Sequence, residues 1–322
     1  MKKYAVIFFF FTSQIVAQPT ALDSLAAQLK RSTTVATASA IYDWLTANVA
    51  YDNRFRYRRS EGDTMLRQEP YNVVRTRRAV CIGYAKLFKE LCQLNGIESV
   101  VVEGWARNGK GFVGREEHAW NVLKINDLWA FADATWGSDG GFLATKYFQT
   151  DPSVFSENHL PHDPMWQLST APKSFNCFVK NENCHQPFAE NFNFTDTIAA
   201  FLRLDSLEKS YNQSLRILRF NPNDLWAMRS LAEYYGSRAT VALTDYARIR
   251  QVSTTKKRRA DNHDAALKCL DAAEQNFKAA QAIYEKLTAF ARPQQYTDAH
   301  LNLELTNEML ENLAAERAFF QH

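Results

Sequence analysis

Long apolar runs are missing from this sequence. None of its 322 positions opens a stretch of ~18 apolar residues, which excludes a polytopic membrane protein. Charge of one sign is equally scarce. The chain has 38 Lys and Arg against 35 Asp and Glu, a net +3, so it lacks the basic footprint of a nucleic-acid binder. Five cysteines are too few to staple a disulfide scaffold. No self-similarity at a period of ~20–50 residues runs through the chain, which excludes a solenoid. What remains, 46% hydrophobic and 23% charged residues, is the balance of a soluble globular protein with a length suited to about two domains.

The first residues read as a targeting segment. Lys2 and Lys3 precede an apolar stretch, Tyr4 to Phe11, too short to span a bilayer as a helix. Ala17 then offers the small residue of a cleavage site. This is the grammar of a secretory signal peptide over residues 1–17, and it predicts export to a periplasmic or extracellular space. The mature chain then has no integral membrane segment, and no cysteine at the cleavage site to take a lipid.

The rest divides into a mixed half, 18–188, and a helical half, 189–322. Residues 21–50 carry apolar residues at helical spacing, and so do 81–95, with Gly96 where a C-cap glycine belongs. Residues 51–78 have no clear period. Three β segments follow at 99–106, 118–125 and 128–136, the last two joined by the hairpin turn Asn126-Asp127. Residues 138–187 form an irregular extension. Apolar stripes at 197–220, 224–250, 262–290 and 297–320 make an all-α C-terminal domain, with Lys256-Lys257-Arg258-Arg259 as a solvated loop.

The reactive residues are Cys81, His118 and Asp133. Cys81 opens a predicted helix after Arg75, Arg77 and Arg78. The positive end of the helix and the arginines favour a thiolate, the nucleophilic form. If Asn126-Asp127 is the turn, paired residue numbers sum to 253. His118 then faces Thr135, Asp133 faces Trp120, and His118 and Asp133 are diagonal neighbours on one face. A carboxylate there would hold the imidazole in one tautomer and leave its other nitrogen for the thiol. Each residue alone has a plainer structural reading; the joint arrangement carries the argument.

At these residues the chain resembles the transglutaminase-like superfamily, more narrowly its kyphoscoliosis-peptidase branch. The resemblance rests on Arg78-Ala79-Val80-Cys81-Ile82-Gly83-Tyr84-Ala85, Asn95-Gly96-Ile97, Val102-Glu103-Gly104, His118-Ala119-Trp120-Asn121 and Asp133-Ala134-Thr135-Trp136. It continues through Tyr147-Phe148, Asp151-Pro152, His159-Leu160-Pro161 and Trp166-Gln167-Leu168, and covers about 38–170. It implies an α+β core of the papain/transglutaminase type, a helix packed on an antiparallel sheet. It also implies acyl transfer at amide bonds with Cys81 as nucleophile, His118 as base and Asp133 as orienting acid, without choosing among peptide hydrolysis, deamidation and transamidation. It brings no cofactor or metal. Its substrate would be a protein or peptide, with a cell-wall peptide among the candidates. Arg75 stands where papain-type enzymes carry an oxyanion-hole glutamine; the Cys81 backbone N–H and Tyr51, at a place where the family often has an aromatic donor, are the substitutes.

Cys92 shares a helix with Cys81, about 16 Å along the axis, too far for a disulfide. Cys177 and Cys184 flank a short polar loop and form a disulfide candidate, preferred to a metal site with His185. The C-terminal helices have no catalytic pattern but offer a surface for a protein partner. The competing functional class is a scaffolding protein that keeps the fold without the chemistry.

Overall fold

The computed structural model describes residues 20–54, 65–107, 118–138, 147–180, 191–290 and 297–321. The predicted signal peptide, residues 1–17, lies outside them. The chain forms two compact units. One holds the described residues up to Glu103 together with His118–Phe155; the other holds the described part of Gly104–Glu117 and Ser156–His322.

The first unit starts with α1 (Ala21–Leu29), whose first turn is fixed by a Thr20–Asp23 capping box, and α2 (Thr34–Asn48), capped by Thr33. Strand β1 (Ala50–Tyr51) pairs in parallel with β2 (Arg78–Ala79), and α3 (Pro70–Thr76) lies between them in sequence. Helix α4 (Cys81–Leu94) buries one stripe, including Tyr84, Leu87, Phe88, Leu91 and Cys92. It ends as predicted at Gly96, which takes φ 74°. The Ile97 and Gly96 N–H groups donate to the Cys92 and Gln93 carbonyls, satisfying the last turn in a Schellman arrangement. The Asn95 side-chain amide donates to the Ala26 carbonyl of α1 at 3.1 Å.

In this unit antiparallel strands lie in the order β6 (Phe148–Thr150), β5 (Leu128–Ala132), β4 (His118–Ile125), β3 (Ser99–Ala106), part of a five-stranded sheet. Neighbours on both sides and α4 bury nearly all of β4. The hairpin register is the predicted one: Ile125 faces Leu128 and Asn121 faces Ala132, every pair summing to 253. Asn126 and Asp127 have φ of 50° and 65°, the positive pair of a type I′ turn. The predicted strand over 128–136 is shorter, however. It stops at Ala132, and Ala134–Gly137 forms a helical turn, α5, because Asp133 caps it. Helix α6 (Pro152–Phe155) closes the unit, with Phe155 stacked on Phe131 at 4.2 Å.

In the second unit, Gly104–Ala106 of β3 pair with β7 (His159–Pro161). Asp163 caps the 3₁₀ turn Pro164–Gln167, and its carboxylate takes a two-pronged grip from Arg216 at 2.7–3.1 Å. Helices follow at α7 (Phe175–Lys180), α8 (Phe194–Leu202), α9 (Ser206–Phe220), α10 (Leu225–Val252), α11 (Lys256–Phe290) and α12 (Thr297–Gln321). The predicted single stripe at 197–220 is two helices, broken where Asp205 caps α9. Small residues, Ala239, Ala266 and Ala273, let α10 and α11 approach closely around Leu270, Phe277 and Leu313. The run Lys256–Arg259 is the first turn of α11, not a loop, with Lys256, Lys257 and Arg258 exposed and Arg259 half-buried: Thr255 accepts the Arg258 N–H and starts the helix. Cys177 is disulfide-bonded; Cys184, its predicted partner, lies outside the described residues.

Asp163 is 1% exposed, so its charge depends on Arg216. Arg216→Met should leave a buried carboxylate unpaired and cost about 3–5 kcal/mol. Denaturant unfolding of the full chain checks this; a loss below about 1 kcal/mol would mean that water replaces the guanidinium.

Candidate active site

Cys81 is the first residue of α4, following Val80 in extended N-cap geometry. Its position is set by long-range contacts, because Val80 has no side-chain group to close the first turn. Cys81 is half-buried. Of the three arginines before it, Arg77 lies over the Trp44 ring at 4.4 Å and Arg75 bonds Asn72 at 3.3 Å. The imidazole of His118 hydrogen-bonds the Cys81 side chain.

His118 begins β4, 8% exposed, with Trp136 and Trp120 beside its ring at 5.4 and 5.8 Å between centroids. Its Nε2 meets Asp133 Oδ2 at 2.7 Å. That leaves Nδ1 for the hydrogen bond with the Cys81 side chain. Burial alone pushes the imidazole toward neutrality. The charge and hydrogen bond of Asp133, and then Cys81, outweigh it and raise the pKa to about 10. The ring is therefore an imidazolium at neutral pH.

Asp133 is fully buried. It falls within the predicted strand over 128–136, but the structure makes it the N-cap of α5. Its Oδ1 accepts the Thr135 and Trp136 N–H groups at 2.9 and 3.1 Å, and Oδ2 is left for His118. The two backbone donors fix the carboxylate, and the carboxylate fixes the ring. Tyr42 of α2, a residue the sequence argument passed over among apolar neighbours, donates its buried hydroxyl to the Asp133 carbonyl at 3.3 Å. Burial, and next the Asp133 charge, hold that hydroxyl firmly protonated. Gly137 makes room for it, since a Cβ there would sit 2.1 Å from the Tyr42 oxygen.

Two further residues hold the parts of the site together. Asn121 of β4 donates to the Ala85 carbonyl of α4 at 3.0 Å, tying the helix of Cys81 to the strand that carries His118. Gln68 accepts the Val80 N–H at 2.9 Å from 12 residues upstream. Tyr51 pairs opposite Ala79, two residues before Cys81, with a side chain 37% exposed. Cys92 is buried in the core, where burial pushes its thiol far up and keeps it inert.

A helix that opens on a cysteine and packs against an antiparallel sheet bearing a histidine beside a carboxylate defines the papain-like α+β class. Residues 23–134 match the family model of the transglutaminase-like superfamily, so the chain carries a transglutaminase-like domain. Human kyphoscoliosis peptidase is 32% identical over 187 residues, 53% of this chain and 28% of that protein. The Caenorhabditis elegans Lim and transglutaminase domain protein ltd-1 is 27% identical over 161 residues, 42% of this chain and 21% of that one. A solved structure of a candidate cysteine protease from Cytophaga hutchinsonii aligns over 35% of this chain and 36% of its own, with 25% identity and a TM-score of 0.29. The matched stretch thus spans under a third of the length of these curated relatives.

The raised His118 pKa makes stability depend on pH. The folded value, about 10, lies above the ~6.5 of an unfolded histidine. The stabilisation is therefore fully present below about pH 6.5 and is lost as pH rises through about 10. Unfolding free energies at pH 6.5 and pH 10 should fall more steeply for the wild type than for His118→Gln. Parallel slopes would show that the folded ring titrates normally.

Proposed function

We propose that this protein is an exported cysteine enzyme that transfers acyl groups from amide bonds of a protein or peptide through Cys81, His118 and Asp133. The observation that carries the reading is the Asp133–His118 contact at 2.7 Å with Cys81 bonded to the same ring. A buried carboxylate, an imidazolium and a half-buried cysteine in that order make up a nucleophile, its proton carrier and an orienting group.

The sulfur adds to the amide carbonyl, forming a C–S bond and a tetrahedral oxyanion. Nδ1 of the His118 imidazolium gives its proton to the amine, the C–N bond breaks, and a thioester remains on Cys81. Neutral His118 then takes a proton from the incoming nucleophile, whose oxygen or nitrogen bonds to the thioester carbon; the C–S bond breaks, the acyl group leaves on the nucleophile, and the Cys81 sulfur returns as a thiolate beside the recharged ring. Water as nucleophile gives hydrolysis or deamidation, and an amine gives transamidation. The oxyanion would lie against the first turn of α4, where the helix itself leaves its N–H groups without partners; Cys81 N–H is the donor, with Tyr51 on the neighbouring strand a second candidate. Asp133 stays ionised and holds the ring.

The name of the human relative, a peptidase, supports hydrolysis as the outcome. Export rests on the pattern of residues 1–17 and makes a cell-wall peptide a reasonable substrate. The helices after Phe194 serve as the surface for a protein partner. No helix among the described residues is long and apolar enough to cross a membrane.

The test is incubation with a peptide library and mass-spectrometric readout of cleavage, deamidation and cross-linking. Cys81→Ala should abolish every product. Asp133→Asn should lower turnover about 10²–10³-fold, because the amide keeps Oδ1 for the cap and turns an N–H toward Nε2. Its melting temperature should drop only modestly, whereas Asp133→Ala, which also loses the cap, should drop further. A wild type with no product and with Cys81 no faster toward iodoacetamide than His118→Ala would make the domain a scaffold instead.

A further inference from the structure

We propose that Gln68 is a positioning residue that sets the Cys81 nucleophile by capping its helix from a distance, an inference that rests on the catalytic reading of Cys81. In a capping box, a Glu or Gln at the third helical position reaches back to the N-cap N–H. Here Val80 is the N-cap, Cys81, Ile82 and Gly83 are the first three helical positions, and the third carries no side chain. The Val80 N–H is met instead by Gln68 Oε1 at 2.9 Å.

Gly83 is what admits it. A Cβ at Gly83 would lie 2.4 Å from Gln68 Oε1 and 2.8 Å from Ala79 Cβ. The glycine of the Cys-Ile-Gly sequence thus vacates the place of the local cap, and the amide of Gln68 fills it. Gln68 is fully buried, and its backbone N–H is held by the Met65 carbonyl at 3.0 Å, so the oxygen is presented from a fixed turn. Its Nε2 has no partner among the described residues, which leaves the oxygen as the working atom. Val80 precedes Cys81 directly, so the bond that fixes Val80 also fixes the backbone N–H and Cα from which the sulfur projects. A misplacement of about 1 Å there is enough to cost two orders of magnitude in rate.

The experiment measures the iodoacetamide rate constant of Cys81 in the full chain at pH 7, by mass spectrometry of its peptide, with hydrogen exchange at the Val80 amide. Gln68→Met fills the space without an acceptor and should slow Cys81 about 10-fold or more while Cys92 stays protected. It should also speed exchange at Val80. Gln68→Glu keeps an acceptor oxygen and replaces Nε2, which has no partner among the described residues, by a second oxygen whose charge faces the positive end of the helix; it should return Cys81 to within about 3-fold of wild type. If the Met variant does not fold, Gln68→Asn, which draws the oxygen back by one carbon, should show the same slowing. Wild-type rates in the Met and Asn variants overturn the proposal, and so does a Glu variant as slow as Met, which would give the role to Nε2. A wild-type Cys81 no faster than in His118→Ala overturns the catalytic reading alone, and Val80 exchange still decides whether Gln68 holds the helix start.

Discussion

The site depends on one carboxylate with two duties. Asp133 Oδ1 closes the first turn of α5, and Oδ2 holds His118. Because two backbone N–H groups fix the carboxylate, the ring orientation is inherited from secondary structure rather than from side-chain packing. Burial makes the arrangement exacting. A neutral partner in place of Asp133 would leave burial free to discharge the imidazole, and the sulfur would lose its cation. Tyr42 and Gly137 extend the same constraint into α2, where a hydroxyl and the missing Cβ fix the distance between helix and corner.

Cys81, the proposed nucleophile, is held by a parallel device. Its helix end is closed by Gln68 rather than by a residue of the helix, while Asn121 fastens the side of the helix to β4. Cys81 and His118 are therefore brought together by hydrogen bonds between elements distant in sequence. Arg77 stacks on Trp44 and Arg75 bonds Asn72, so both side chains are committed to other contacts. The ring that hydrogen-bonds Cys81 is the one Asp133 holds.

Much of this was readable in the residues. Alternation of apolar residues and the Asn126-Asp127 turn were enough for the hairpin register, since a two-residue turn permits only one pairing of its flanks. Gly96 was readable because a helix end demands a left-handed residue. The end of β5 was not: Thr135 and Trp136 have strand propensity, and only the capping geometry of Asp133 shows that the chain turns into a helix. Gln68 and Tyr42 escaped because their partners are 12 and 91 residues away. The run Lys256–Arg259 misled for the opposite reason. Its charge argues against a helix start, but the 35-residue helix of which it is the first turn carries it on the apolar contacts of its later turns.

The central claim is that Asp133 keeps His118 charged at neutral pH. The most direct measurement is a nitrogen NMR titration of His118 in full-length protein labelled at histidine. The account predicts that both ring nitrogens remain protonated at pH 8, with the transition near pH 10, and that Asp133→Asn moves the transition below about 6.5. A wild-type ring already neutral at pH 8, with a transition unchanged by Asp133→Asn, would contradict it.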